Sequence, residues 1–188
     1  MYKMDFIFSN KTRTKILGGM IKEWLGVQSK ILDVGTGNGD IASFFQSEGH
    51  LITPMDIVNK SKHQNIKPIV YDGKHFPFPN NSFDTVLLLT VLHHTPNPDL
   101  IINEARRVAK RIIIMEDIYD NFFEKFISKF GCSLVNFEFG GHPHSNRTDK
   151  EWKRVFEKLK LKTLAAKYSR QFFSFLYFHH AVYCLERA

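Results

Sequence analysis

A chain of 188 residues, 43% hydrophobic and 14% aromatic, is long enough to bury one sizeable core and asks for no second domain. Its two cysteines, Cys132 and Cys184, are too few for a disulfide framework and lack the paired spacing of a structural zinc site, so no metal is expected. The formal charge of +7 favours anionic partners, yet the basic residues are scattered along the chain and densest only from Lys150 to Lys167.

In chain order, "MYKMDFIFSNKTR" lacks the apolar region and cleavage site of a signal peptide, and the longest apolar runs, Thr85 to Leu92 and Phe172 to Phe178, are too short to cross a membrane as a helix. The expectation is a single cytoplasmic domain over residues 1–188 with no membrane insertion. "TKILGGMIKEWLG" places Ile16, Leu17, Met20, Ile21, Trp24 and Leu25 on one helical face, with Gly26 as its stop and the interior pair Gly18 and Gly19 weakening it. There follow "KILDVG" as a strand, "DIASFFQSEG" as a helix, "HLITPMDI", "KPIVYDG" and "FDTVLLLT" as strands, "NPDLIINEARRVAK" as a helix and "RIIIMED" as a strand. The link from Ile57 to Lys67 has room for only about two helical turns. "TDKEWKRVFEKLK" carries a capping box, Thr148 with Glu151, and an apolar face of Trp152, Val155, Phe156 and Leu159. "KTLAAKYS" and "FSFLYFHHAVYCLER" read as two strands joined by a short turn, hence antiparallel at one edge. Apolar strands separated by helices predict an α/β fold: a Rossmann-like, seven-stranded, mostly parallel sheet with helices on both faces and an antiparallel last strand.

Gly35, Gly37 and Gly39 stand where the first strand ends, at the carboxyl edge of the sheet where open α/β folds bind ligands. Glycine there permits a tight turn and close approach of a ligand to the main chain, and the following helix offers unpaired N–H groups. A dinucleotide fingerprint would put its third glycine at Asp40, and a P-loop needs Gly-Lys-Ser/Thr, so neither is present.

With Asp33 before it, "LDVGTGNG" resembles the first motif of the class I S-adenosylmethionine-dependent methyltransferases, in particular the small-molecule, ubiquinone-biosynthesis-like type 11 group, and the resemblance runs from about Thr12 to Arg187. It implies S-adenosylmethionine as cofactor and S-adenosylhomocysteine as product. By that resemblance Asp33, Gly35, Thr36, Gly37, Asn38 and Gly39 would cradle the methionine end, and Asp56 would accept from the ribose hydroxyls. Asp72 would face the adenine amino group with Gly73 at the ring edge, Ile57 would be a further adenine contact, and Leu89 and Thr90 would border the site from the fourth strand. "INEARRVAK" resembles the helix that follows, with Glu104 and Arg107 in the usual places. Two departures stand out: "VAKRIII" passes without a Lys-Pro-Gly-Gly turn, and the crossover between the second and third strands is short.

A sulfonium is already an activated methyl donor, so the protein's task is to align a nucleophile in line with it and exclude water. Where a base is used, His93 and His94 are the candidates, since they follow the fourth strand at the ligand-facing edge; the competing reading has one capping the loop and the other packing. Glu116 and Asp117 end the fifth strand at the same edge and either orient a polar acceptor or bond a neighbouring loop. His142 and His144 read as a substrate-side or solvent loop, His179 and His180 as structural, and the aromatic face of "YDNFFEKFISKF" as core or acceptor cover. A small or medium-sized acceptor is expected. RNA methyl transfer, suggested by the charge, and a non-catalytic interaction module are the alternatives, although "LTVLHH" stands where N6-adenine enzymes carry an Asn/Asp-Pro-Pro-aromatic motif.

Overall fold

The computed structural model describes residues 10–119, 147–173 and 176–187. Helix α1 (Asn10–Ile21) leads through a 3-10 turn to β1 (Lys30–Val34), followed by α2 (Asp40–Ser47), β2 (Leu51–Asp56), β3 (Ile69–Val70) and β4 (Phe83–Leu89). A second 3-10 turn (Leu92–His94), α3 (Pro98–Val108), β5 (Ala109–Asp117), α4 (Asp149–Lys158), β6 (Leu161–Phe173) and β7 (Leu176–Arg187) complete the described chain.

One seven-stranded sheet has the order β3-β2-β1-β4-β5-β7-β6. Strands β1 to β5 pair in parallel, and β7 runs antiparallel to both β5 and β6. The expected Rossmann-like mixed sheet is present, with β7 inserted between β5 and β6. The central strands are buried on both faces, which is why they read as unbroken apolar runs. On one face Val86, Leu88, Ile112, Ile114 and Tyr183 meet Ile101 and Ile102 of α3 and Trp152 and Phe156 of α4. On the other, Ile31, Leu87, Ile113, Met115 and Val182 meet Leu17 and Ile21 of α1 and Phe45 of α2.

Three expectations need correction. The first helix ends at Ile21, five residues before Gly26. Lys167 Nζ donates to the Met20 carbonyl at 2.6 Å and Arg111 Nη1 to the Trp24 carbonyl at 2.7 Å, so basic side chains from the sheet cap this end and the glycine is not needed. Gly18 has a packing role that the helical pattern does not carry: a Cβ there would lie 2.4 Å from Phe44 Cε1, so its bareness lets α1 close on α2. The third strand shrinks to Ile69–Val70, because Pro68 offers no N–H and only two residues find partners on β2. The crossover before it contains no helix at all.

The capping box forms as expected, with Thr148 Oγ1 accepting from the Glu151 N–H at 3.2 Å and Glu151 Oε2 accepting from the Thr148 N–H at 2.7 Å. No helix among the described residues is long and apolar enough to cross a membrane. Cys132, His142, His144 and the aromatic segment beyond Tyr119 lie outside the described residues.

Candidate cofactor and active site

The glycine loop is built by the sheet edge it leaves. The N–H groups of Gly35 and Thr36 both donate to the Met55 carbonyl, at 2.8 and 3.2 Å, which folds the chain sharply off β1 towards β2. Gly35, Gly37 and Gly39 adopt φ of 72°, 55° and 83°, the left-handed region that favours glycine. Their neighbourhoods differ. A Cβ on Gly35 would sit 2.4 Å from Val91 Cγ2, so this glycine lets the loop after β4 close in. A Cβ on Gly37 would meet nothing nearer than the Gly35 carbonyl oxygen at 4.0 Å, so the second glycine faces open space beside the loop.

Two carboxylates bond this loop. Asp33 is buried and accepts from the Thr36 hydroxyl at 2.6 Å. Burial pushes the Asp33 carboxyl up to about 6; the Thr36 hydroxyl pulls against this and the neighbouring Asp56 charge adds to it. Asp56 accepts from the Gly37 N–H at 2.8 Å through Oδ2 and from the Ile57 N–H at 2.7 Å through Oδ1. Oδ1 accepts from the Val58 N–H as well, at 3.4 Å, so Oδ2 is the oxygen that keeps a further lone pair for a ligand hydroxyl.

The residues expected around the adenine come together at the ends of β2 and β3. Ile57 Cγ2 lies 3.2 Å from where a Cβ on Gly73 (φ 74°) would be, so Ile57 and Gly73 form adjacent walls, and Ile57 is 63% exposed. Asp72 Oδ1 accepts from the N–H groups of Lys74 and His75, both at 2.8 Å, which hold its carboxyl below the usual carboxylate range. Behind them burial, together with the Asp56 and Asp72 charges, pushes the Tyr71 hydroxyl up to about 12. Glu104 and Arg107 support this loop: the guanidinium donates to Glu104, to the Phe76 carbonyl at 2.9 Å and to the Phe78 carbonyl at 2.7 Å, while Glu104 Oε2 accepts from the Phe76 N–H at 2.8 Å.

From β4 the boundary is Leu89 and Thr90, the latter at φ 56° with its N–H donating to the Met115 carbonyl at 2.7 Å. The 3-10 turn after it buries His93 against Glu116. His93 Nδ1 lies 2.5 Å from Glu116 Oε2, and Glu116 Oε1 accepts from the Leu92 N–H at 2.7 Å. His94 is half-buried with its ring centroid 4.0 Å from that of His93. On the opposite face of β5, Asp117 Oδ1 lies 2.6 Å from His180 Nδ1. Glu116 thus bonds a neighbouring loop and a histidine at once, a pairing across 23 residues that spacing alone does not announce.

Residues 61–66 also went unmarked in the sequence. His63 Nε2 lies 2.7 Å from Asp40 Oδ1, the Lys62 N–H donates to the Asn38 carbonyl at 2.9 Å, and a Cβ on Gly39 would lie 2.9 Å from Ser61 Oγ. The crossover that lost its helix instead braces the outer side of the glycine loop. A short link that returns to the same edge of the sheet, with polar residues able to bond a loop backbone, was the available signal.

The strand order, with a glycine cradle after β1 and an acidic residue ending β2, sits within a wider group of proteins. Residues 32–112 match the type 11 family of methyltransferase domains. This matched segment resembles the class I S-adenosylmethionine-dependent methyltransferases. An uncharacterised protein of Methanocaldococcus jannaschii is 34% identical over 80 residues, 43% of this chain and 39% of that protein. The ubiquinone/menaquinone biosynthesis C-methyltransferase of Rickettsia akari is 26% identical over 132 residues, 58% of this chain and 53% of that enzyme. The chain thus spans about half or less of the length of these curated relatives. Among solved structures, the 1,6-didemethyltoxoflavin N1-methyltransferase of Burkholderia thailandensis, crystallised with its acceptor and S-adenosylhomocysteine, shares the fold at a TM-score of 0.71 and 14% identity, over 97% of this chain and 81% of that one.

Read as a class I methyltransferase, the chain has its expected cofactor residues on one edge. Asp33, Gly35, Thr36, Gly37, Asn38 and Gly39 form the loop after β1, Asp56 and Ile57 follow β2, Asp72 and Gly73 follow β3, and Leu89 and Thr90 close β4. No group of three or more His, Cys, Asp or Glu side chains among the described residues is placed to hold a metal ion.

Proposed function

We propose that this chain is a class I methyltransferase that binds S-adenosylmethionine at the β1 to β4 edge and methylates a small or medium-sized acceptor. The observation that carries the reading is Gly37: its left-handed backbone faces open space beside the loop and its N–H is held by Asp56, so a bulkier residue there would intrude on a ligand lying against the main chain. The groups present fit the cofactor. Asp33 suits an ammonium group, the Asp56 carboxylate suits a ribose hydroxyl, and Asp72, Gly73 and Ile57 suit the edge and face of a flat base. When bound, S-adenosylmethionine supplies a methyl carbon already activated by its sulfonium and leaves as S-adenosylhomocysteine.

The chain's own part is positioning and exclusion of water. Where the acceptor must lose a proton, we assign the base to His93. Its Nδ1 is turned to the buried Glu116, so Nε2 is the nitrogen that would take the proton; His94 beside it is the second candidate. Cytoplasmic location belongs to the same reading.

Calorimetric titration tests the cradle: micromolar binding of S-adenosylmethionine and S-adenosylhomocysteine, with no response to NADH, is the expected result. Failure of both sulfur ligands would overturn the reading and favour an interaction module. His93→Ala should lower turnover while leaving S-adenosylhomocysteine affinity nearly intact, whereas equal loss of both would return His93 to a structural role. Retention of mixed RNA that weakens steeply with added salt would favour an RNA acceptor.

A further inference from the structure

The glycine loop leads into a helix that caps itself poorly. Helix α2 has eight residues, fewer than an isolated helix needs, and Gly39 at its N-cap offers no side chain to the free N–H groups of the first turn. Gly35, Gly37 and Gly39, all at positive φ, leave the free chain many conformations besides the one that opens Gly37 to a ligand. The loop must be fixed from elsewhere.

One continuous stretch, residues 55–66, holds it from both sides. On the inner side the Met55 carbonyl accepts from the Gly35 and Thr36 N–H groups, and Asp56 accepts from the Gly37 N–H. On the outer side the Lys62 N–H donates to the Asn38 carbonyl at 2.9 Å, Asn65 Nδ2 donates to Gln46 Oε1 of α2, and the buried Ile66 packs 3.1 Å from where a Cβ on Gly39 would be. His63 is the junction of this strap. Its Nε2 lies 2.7 Å from Asp40 Oδ1 in the first turn of α2, its N–H donates to Ser61 Oγ at 3.2 Å, and its carbonyl accepts from the Ile66 N–H at 3.1 Å. Asp40 passes the hold on: its Oδ2 accepts from Asn38 Nδ2 at 2.7 Å and its N–H donates to Asn38 Oδ1 at 3.2 Å. His63 thereby reaches the residue that separates Gly37 from Gly39.

The strap and the cradle are therefore linked energetically. A ligand that binds only the closed loop has its apparent affinity reduced by the fraction of molecules in which the loop is closed, and by reciprocity that ligand stabilises the closed strap. The His63–Asp40 pair is partly exposed, at 32% and 23%, which limits its weight in that closed fraction to about 5-fold.

We propose that His63 is a positioning residue for the cofactor: acting through Asp40, it holds the glycine loop in the form that binds S-adenosylmethionine. The proposal rests on the methyl-transfer reading above and adds the residue that sets how firmly that site closes. The test uses the full chain, titrated calorimetrically with S-adenosylhomocysteine and followed by amide hydrogen exchange with and without it. His63→Ala should weaken S-adenosylhomocysteine binding by about 3- to 5-fold. His63→Gln, whose amide nitrogen can donate from the place of Nε2, should stay within about 2-fold of wild type. In the free protein His63→Ala should speed exchange in residues 35–41 and 61–66 and leave β4 and β5 unchanged, and saturating ligand should slow both segments in the wild type. An affinity untouched by His63→Ala, a loss that His63→Gln does not recover, faster exchange spread over the whole sheet, or ligand protection confined to residues 35–41 would each overturn the positioning role. Failure of the unaltered protein to bind S-adenosylhomocysteine would overturn the methyl-transfer reading instead, and the exchange contrast between free wild type and His63→Ala tells that failure apart from a loop that His63 does not hold.

Discussion

Asp33→Asn separates the electrostatics of the glycine loop from its shape. The Asp33 carboxyl titrates at about 6 in the folded protein against 3.8 when exposed, because the fold favours its neutral form. Its contribution to stability is therefore fully present below pH 3.8 and is lost as the pH rises through about 6. A shift of about 2 pH units corresponds to about 3 kcal/mol, of which about 2 kcal/mol is lost between pH 4.5 and 7.5. Asparagine keeps an acceptor for the Thr36 hydroxyl and does not titrate. Other groups contribute equally to both proteins, so the difference in unfolding free energy between variant and wild type should move by about 2 kcal/mol in favour of the variant across that range, whatever its offset. Urea unfolding followed by the fluorescence of Trp24 and Trp152 reads this directly. A pH-independent difference would refute the raised carboxyl. A cationic ligand prefers the ionised form, so S-adenosylmethionine affinity should also rise with pH through about 6 in the wild type and stay flat in the variant.

Gly35→Ala forces a Cβ to within 2.4 Å of Val91 at a left-handed φ, and should cost about 2 kcal/mol or more; adding Val91→Ala should recover the steric part, and a double variant no better than the single would place the whole cost in the backbone. Asp56→Ala should weaken S-adenosylhomocysteine binding by a few kcal/mol in a folded protein, and calorimetry showing an unchanged affinity would remove Asp56 from the site. Arg107→Ala strips donors from the Phe76 and Phe78 carbonyls and leaves Glu104 without its ion-pair partner, so chemical denaturation should show a loss of about 2 to 3 kcal/mol, and a loss below half a kcal/mol would mean the 76–80 loop holds itself.

The sequence states most plainly what local physics decides. Unbroken apolar strands such as Thr85 to Leu89 mark a sheet covered on both faces, the alternate glycines from Gly35 mark a cradle at its edge, and Thr148 with Glu151 marks the start of α4. What it leaves out is decided by partners far along the chain. The end of α1 is set by Lys167 and Arg111, and the pairing of His93 with Glu116 by the β4–β5 register. β3 is short because an edge strand that Pro68 immediately precedes finds a single neighbour, a tertiary fact that its residue pattern does not carry.

The order β5-β7-β6 has a consequence for synthesis. β7 is made after β6 yet lies inside it, so the flank of β5, with Ile112, Ile113 and Ile114 wholly buried in the finished fold, has no neighbour on that side until Leu176 to Arg187 have left the ribosome. During that interval the nascent chain carries an apolar strand with an open row of backbone donors and acceptors, the template on which edge-to-edge aggregation begins. Slow translation upstream of residue 176 prolongs this exposure, while rapid completion of β7 ends it.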